Sequence, residues 1–471
     1  VISNIKNVKI NSAKKMAGVI LFLSIWGLFT SNPALTFAGL WLLPFLLYLL
    51  WQPGEPPSFL IVVFYQWLQV FTPVLDANIQ GDVLGVGINL PEQEMATYLG
   101  YITIIFLAIG IKCGVGRKAL EISNKVVMTT PLFEKRSLLS LYLIFFLFSL
   151  FIGAVMWLVP SATQLLGALK IYKWAVIFLI IWLAVLRKDI RILAGSIVLL
   201  EIFIGFLGFF GAFKTVFLIL IVALTAHDKK RFLGLNARFV AILVPLVILA
   251  LVWQAIKVDY RAFQQQGEAT QVAQVSNEQK AEYLAGALAA LHPVDIISSF
   301  DSLVSRLGYT EFFGYSIAMV PDNIPFQNGR LWGEALVRVV TPRMFFPDKS
   351  ALDDSSRTRE FTGIRVASAE EGASVGLGYA SESYIDFGPY LMFFPIFLLG
   401  FLFGFGYRLF LQIPLPSFIG FSIGNAFVIS SGFLFESSGI KFLGGMLTVM
   451  LVNITILKLI SLINKSKTKI I

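Results

Sequence analysis

Residues 137–159 read SLLSLYLIFFLFSLFIGAVMWLV, without a single charged side chain. An α-helix rises about 1.5 Å per residue, so a run of this length reaches across the ~30 Å hydrocarbon core of a bilayer. Inside that core the backbone must satisfy its own hydrogen bonds, which makes such a run a helix that crosses. The pattern recurs along the chain, at 16–31, 34–51, 57–75, 96–113, 173–187, 192–211, 213–226, 237–256, 389–409, 415–435 and 440–460. The stretch 213–226 is the shortest, and with 192–211 it reads equally as a bent hairpin. The expected fold class is therefore an all-α polytopic membrane protein with about twelve transmembrane helices. Composition agrees: of 471 residues 57% are hydrophobic and 14% charged, with mean hydropathy +0.79, whereas soluble domains carry roughly a quarter charged residues.

Lysine and arginine in short loops set orientation. They gather in the N-terminal arm (Lys6, Lys9, Lys14, Lys15), after the fourth span (Arg117, Lys118, Lys125, Lys135, Arg136), at Arg187, Lys188 and Arg191, at Lys229, Lys230, Arg231 and Arg238, and in the tail (Lys465, Lys467, Lys469). Twelve alternating spans put all of these on the cytoplasmic side, with both termini inside. Three regions follow: 1–256 with about nine spans, an extracytoplasmic segment 257–388, and 389–471 with the last three spans. The outer segment carries a net −6 within a chain of +9, so the remainder is +15. The basic balance is then a topology signal, and nucleic acid is excluded as a partner.

The outer segment has helical punctuation of its own. Ser276 and Gln279 have the form of a capping box. Apolar residues at helical spacing follow over 283–291 and 296–307, and a short helix near 311–320 stops at Pro321. Its second half is the most polar part of the chain: GRLWGEALVRVVTPRMFFPDKS at 329–350 and DDSSRTREFTGIRVASAEEGASVGLGYASESYIDFG at 353–388. Arginine offers a fixed fork of donors to phosphate and stays charged. The cluster that includes Arg338, Arg343 and Lys349 therefore suits a diphosphate, against the bland alternative of surface ion pairs with Glu334, Asp348, Asp353, Asp354 and Glu360. Arg261, in KVDYR, and Lys214, between two spans, are expected near the same outer surface. Glu382 and Asp386 precede the tenth span, and one such carboxylate suits a general base. Of the two histidines, His227 falls in a basic cytoplasmic loop and His292 is expected at the end of an outer helix. Glu201 is an acid in the middle of a predicted span, a functional or paired residue by default. No Walker loop, HExxH motif or nucleophile elbow occurs. No metal ligand set is evident and no cofactor is expected.

This layout resembles that of the bacterial O-antigen and exopolysaccharide repeat-unit polymerases (Wzy-type). The resemblance rests on many spans, a basic cytoplasmic face and one large outer segment late in the chain. It also rests on TPRMFFPDK at 341–349 and SESYIDFG at 381–388, with weaker matches in YR at 260–261 and PSATQLLGALK at 160–170. It implies a GT-C-like helical fold in the bacterial inner membrane. It implies a metal-independent glycosyltransferase acting on undecaprenyl-diphosphate-linked oligosaccharides, with a chain-length regulator and a flippase of the same pathway as partners. Carried onto matching positions, Arg343 and Lys349 would bind diphosphate and Glu382 would lie by the acceptor. Catalytic candidates are then Glu382 and His292, and diphosphate-binding candidates are Arg343, Lys349, Arg261, Arg338 and Lys214. Two alternatives stand beside the polymerase. One is an O-antigen ligase-like or other lipid-linked glycan transferase. The other is a lipid-linked oligosaccharide flippase, which is expected to carry several cations inside its spans.

Overall fold

The computed structural model describes residues 2–86, 92–116, 126, 130, 133–207, 213–226, 237–266, 275–341, 343–346, 349, 352–368, 374–432 and 434–468. The cationic loops at 117–125 and 229–231, and His227, lie outside the described residues.

The helices in chain order are α1 (Ile2–Gly27), α2 (Pro33–Leu50), α3 (Ser58–Gln80), α4 (Glu92–Val115), α5 (Lys135–Leu158), α6 (Ile171–Leu186), α7 (Arg191–Leu207), α8 (Phe213–Thr225) and α9 (Ala237–Gln265). Then come α10 (Asn277–Ala290), α11 (Pro293–Leu307), α12 (Glu311–Met319), α13 (Arg330–Val340), α14 (Asp354–Thr362), α15 (Tyr379–Leu391), α16 (Phe393–Leu411), α17 (Ser417–Ser431) and α18 (Gly439–Thr468). Short helical turns over 160–170 lead into α6. No strand occurs among the described residues.

Every stretch read as a span carries a helix. Among the described residues seven helices are long and apolar enough to cross a membrane: α2, α3, α4, α5, α6 with its leading turns, α16 and α18. The bent pair α10–α11, which turns by 107° between its halves, would add an eighth as one broken span. This is a helical membrane protein. The remaining stretches gave helices that are shorter or more charged, as with α8 and α17. Two boundaries moved outward: α1 begins at Ile2 and α9 runs on to Gln265, so Arg261 stands on a helix rather than beyond its end. The pair α10–α11, assigned from sequence wholly to the outer segment, forms the single bent unit. The predicted capping box is present: Gln279 N–H donates to Ser276 Oγ at 3.2 Å and Ser276 N–H to Gln279 Oε1 at 2.9 Å.

Burial separates the helices by role. Along α6 and α17 nearly every central side chain is enclosed, so these two, with α3 and α4, form the interior of the bundle. Helix α5 buries only Leu138, Tyr142 and Ile152 and exposes Leu143, Ile144, Leu147 and Phe151. An apolar surface of that size, on a helix long enough to cross, faces acyl chains. The tightest pair is α4 with α16. Gly110 and Gly114 on one helix, and Gly400 and Gly404 on the other, sit against the partner's backbone: a Cβ on Gly114 would run into the Phe401 carbonyl, and one on Gly404 into the Ile111 carbonyl. Small residues four apart let helix backbones touch where lipid provides no hydrophobic drive for association. Gly404→Val is expected to push the two helices apart and cost about 3 kcal/mol, the upper end of overpacking penalties. Thermal unfolding in detergent would show it, and an unchanged melting temperature would rule out this contact as a determinant of stability.

A charge pair is enclosed among the spans. Glu201 on α7 is 2% exposed. It meets Lys173 Nζ of α6 at 2.6 Å and accepts from Tyr142 Oη of α5 at 2.9 Å. Lys173 turns inward to this acid and also lies 4.3 Å from the Trp174 ring centroid.

Buried amides of α3 position the loop that carries α18. Gln66 Nε2 donates to the Gly432 carbonyl (2.8 Å), Phe435 N–H donates to Gln69 Oε1 (2.7 Å), and Tyr379 Oη donates to Gln66 Oε1 (2.6 Å). Gly432 and Phe435 are thus tied to a span, and Ser437 to α15, through Tyr379 N–H to Ser437 O at 2.8 Å.

Candidate functional site: a carboxylate-anchored arginine cluster

Helix α15 starts after Gly378, whose φ of +86° admits few other residues. Its sequence YASESYIDFG puts Glu382 and Asp386 four residues apart, hence on one face. Each carboxylate meets the N-terminus of another helix. Glu382 Oε2 accepts from Gly439 N–H, the first residue of α18, at 2.5 Å. Asp386 accepts from Leu331 N–H (3.1 Å) and Trp332 N–H (2.9 Å) in the first turn of α13. Anions are favoured at both places because unpaired N–H groups and the helix dipole point at them. Helices α13 and α18 pack against each other, so one face of α15 holds two neighbouring helix starts. Asp386→Ala strips two buried N–H groups of their acceptor and is expected to cost about 2 kcal/mol. Asp386→Asn, keeping one oxygen, should lose less, and thermal melts of the two variants would check that order.

Glu382 also binds the guanidinium of Arg357, Nη1 to Oε1 at 3.1 Å, and the other arm of Arg357 reaches Glu334 Oε2 at 2.7 Å. Arg357 thus bridges a carboxylate that is 3% exposed and one that is 45% exposed. Burial pushes the Glu382 carboxyl up to about 7, against the opposing pull of Arg357 and the Gly439 N–H. Burial also raises Asp386, against its two N–H donors and Arg330.

Around Arg357 lie three further cations. Arg338 is lowered by burial and by the charges of Arg357 and Arg343. Lys349 is lowered by burial and by Arg338 and Arg343. Its Nζ donates to the Arg338 and Thr341 carbonyls, both at 2.7 Å, and so closes the C-terminus of α13. Arg343 is exposed just past the helix end. Like charges crowded until they depress one another form a natural place for a polyanion.

Lys214 and Arg261 fall in a second group. Arg306 Nη2 meets Glu436 Oε1 at 3.8 Å. Lys214 feels both of these charges, and Arg261 and Lys257 are coupled to Arg306. Between the groups runs the strap 374–378, fastened by Val375 N–H to Ser355 Oγ (3.0 Å), Thr358 Oγ1 to the Val375 carbonyl (2.7 Å) and Tyr309 Oη to the Gly376 carbonyl. Asp354, 2% exposed, pairs with Lys441 Nζ at 2.6 Å. Its charge acts on Arg338, Glu382 and Tyr309 alike, which places it between the two groups.

His292 stands elsewhere. Helix α10 ends at Ala290, and His292 is the exposed N-cap of α11, its backbone N–H donating to Asp295 Oδ2 at 2.9 Å. The expectation that it closes the C-terminal end of a helix is thereby corrected: Pro293 opens the next helix, and the adjacent dipole end disfavours a cation. Glu382, expected to lie by an acceptor, is enclosed beside Arg357 with both oxygens engaged. Sequence reasoning did not single out Arg357, Glu334, Arg306 or Glu436. Their importance lies in pairings across dozens of residues that no local spacing reveals.

No curated protein and no solved structure matches this chain. A family model described as Domain of unknown function (DUF8712) matches residues 113–469, from the end of α4 through α18, and so covers both charged groups apart from Tyr65 beside the second. On that match the chain belongs to the DUF8712 family.

Proposed function

We propose that this protein is a glycosyltransferase of the bacterial inner membrane that joins lipid-diphosphate-linked oligosaccharide repeat units into a surface polysaccharide, without a metal. The observation that carries the reading is the crowding of Arg338, Arg343, Lys349 and Arg357 beside a half-exposed carboxylate. On this reading the twelve helical stretches all count as spans in a GT-C-like arrangement. Both charged groups then face the outside, and both termini face the cytoplasm.

In the reaction an acceptor hydroxyl attacks the anomeric carbon of the donor. The new glycosidic C–O bond forms as the bond to the lipid diphosphate breaks, and the diphosphate leaves with the electron pair. Arginine and lysine offset the charge that builds on it. Glu334, on the open side of Arg357, is the carboxylate that a hydroxyl can reach and takes its proton. Glu382 holds Arg357 in place from the buried side. The polymerase is favoured over a flippase because, among the described residues, the charge pair enclosed between the spans, Lys173–Glu201, is already neutralised.

The test is the surface glycan of a strain that lacks the gene, resolved on a gel. A single repeat unit in place of a ladder supports the polymerase. Loss of all glycan would sink it in favour of an earlier step. Reintroduced Glu334→Gln is expected to leave the protein in the membrane and reduce chain extension by about 10²–10⁴-fold, the usual contribution of a general base.

A further inference from the structure

Helix α13 carries three stripes rather than two. Leu331, Trp332 and Ala335 are buried against α15 and α18. Glu334 and Arg338 form a charged edge toward Arg357. The third stripe is apolar and uncovered: Leu336, Val337 and Val340 are exposed, Val340 to 73%. A Cβ on Gly333, between Val337 and Val340 on that face, would meet nothing within 4 Å. At 100° per residue Gly333, Leu336, Val337 and Val340 fall on one side, opposite the buried stripe. The chain then adds Met344, Phe345 and Phe346, all exposed, Phe345 to 70%.

We infer that this face, made of Leu336, Val337, Val340, Met344, Phe345 and Phe346, lies in the bilayer, inserted among acyl chains at the membrane surface, with Arg338, Arg343 and Lys349 level with the lipid phosphates. Three observations choose lipid over water or a protein partner. The surface presents six large apolar side chains within eleven residues, two of them phenylalanines, which soluble surfaces rarely present together. It belongs to a molecule whose α5 already exposes an apolar surface of the same kind to lipid. Cations accompany it, with Arg338 on the adjoining edge of α13, Arg343 between its two parts and Lys349 after the second, the mixture of apolar and basic residues found in helices that lie in the interface. A diphosphate carried on a lipid would then reach the cations sideways from the membrane, by diffusing in the plane of its own headgroup. That last step rests on the proposed function; the insertion itself does not.

The test reads depth directly. In full-length protein with Cys113→Ser, which removes the only cysteine, spin labels are placed singly at positions 340 and 345 and the protein is reconstituted into vesicles of phosphatidylethanolamine and phosphatidylglycerol. These side chains are exposed, so a label displaces no packing. Labels at 360, on a polar exposed site, and at 151, on the apolar face of α5, calibrate water and lipid. The expected result is that 340 and 345 collide with oxygen more than with a water-soluble nickel chelate, as 151 does. Collision behaviour like that at 360 overturns the inference. So does low collision with both reagents, which would mean that a second copy or another protein covers the face. Neither outcome bears on glycan transfer, so a failure here leaves the proposed chemistry to its own test.

Discussion

Arg357→Ala is expected to destabilise the protein by about 3–5 kcal/mol, the usual cost of removing one partner from a buried ion pair, and to abolish chain extension. The guanidinium is 13% exposed and joins Glu382 to Glu334. Without it the Glu382 carboxylate keeps only the Gly439 N–H. Adding Glu382→Gln removes the stranded charge while its amide oxygen still accepts from Gly439, so the double variant should recover most of the lost stability. It should not recover chain extension if Arg357 also meets substrate. A double variant that regains both would reduce Arg357 to a structural residue.

The same pair predicts a pH slope. Burial raises Glu382 from 4.5 to about 7 in the folded protein. Between those values the folded state binds the proton more readily than the unfolded chain does, so this group's contribution to stability falls as pH rises. The decline amounts to roughly 3 kcal/mol across the window from about pH 4.5 to 7. Glu382→Gln should flatten it, and Arg357→Ala, which removes the main opposing charge, should extend it above 7. Unfolding midpoints measured in detergent from pH 4.5 to 8 would show both effects. A wild-type profile that rises through this window would contradict them.

Glu201→Ala is the second large effect. It leaves the Lys173 ammonium enclosed between α5, α6 and α7 with no carboxylate, and removes the acceptor for Tyr142 Oη. About 3–5 kcal/mol of stability should be lost. Lys173→Met with Glu201→Leu replaces the pair by apolar groups of similar reach and should come within about 1 kcal/mol of the parent or exceed it. The cycle separates the two readings that the sequence left open for Glu201. If the apolar double variant is stable and extends chains normally, the pair is a clamp between helices. If it is stable but inactive, the pair takes part in function.

The helical class and the positions of the seven long apolar helices were legible in the chain alone, because lipid imposes one rule on every segment. A run of some twenty apolar residues such as 137–159 has only one way to satisfy its backbone there, and its neighbours do not alter that. Local punctuation was legible for the same reason: Ser276 and Gln279 cap each other three residues apart, and Pro321 stops α12 wherever that helix lies. Tertiary structure alone decided which charges meet. Arg357 is 25 residues from Glu382 and 23 from Glu334, Glu436 is 130 positions from Arg306, and Lys173 faces Glu201 across two helices. The arginines that the sequence placed in one cluster with Lys214 and Arg261 divide into two groups because the strap 374–378 and Asp354 pass between them. Periodicity tells which side of a helix is apolar. Whether a charged side chain there finds an acid, a helix start or open solvent depends on which elements pack beside it, and that is a property of the assembled bundle.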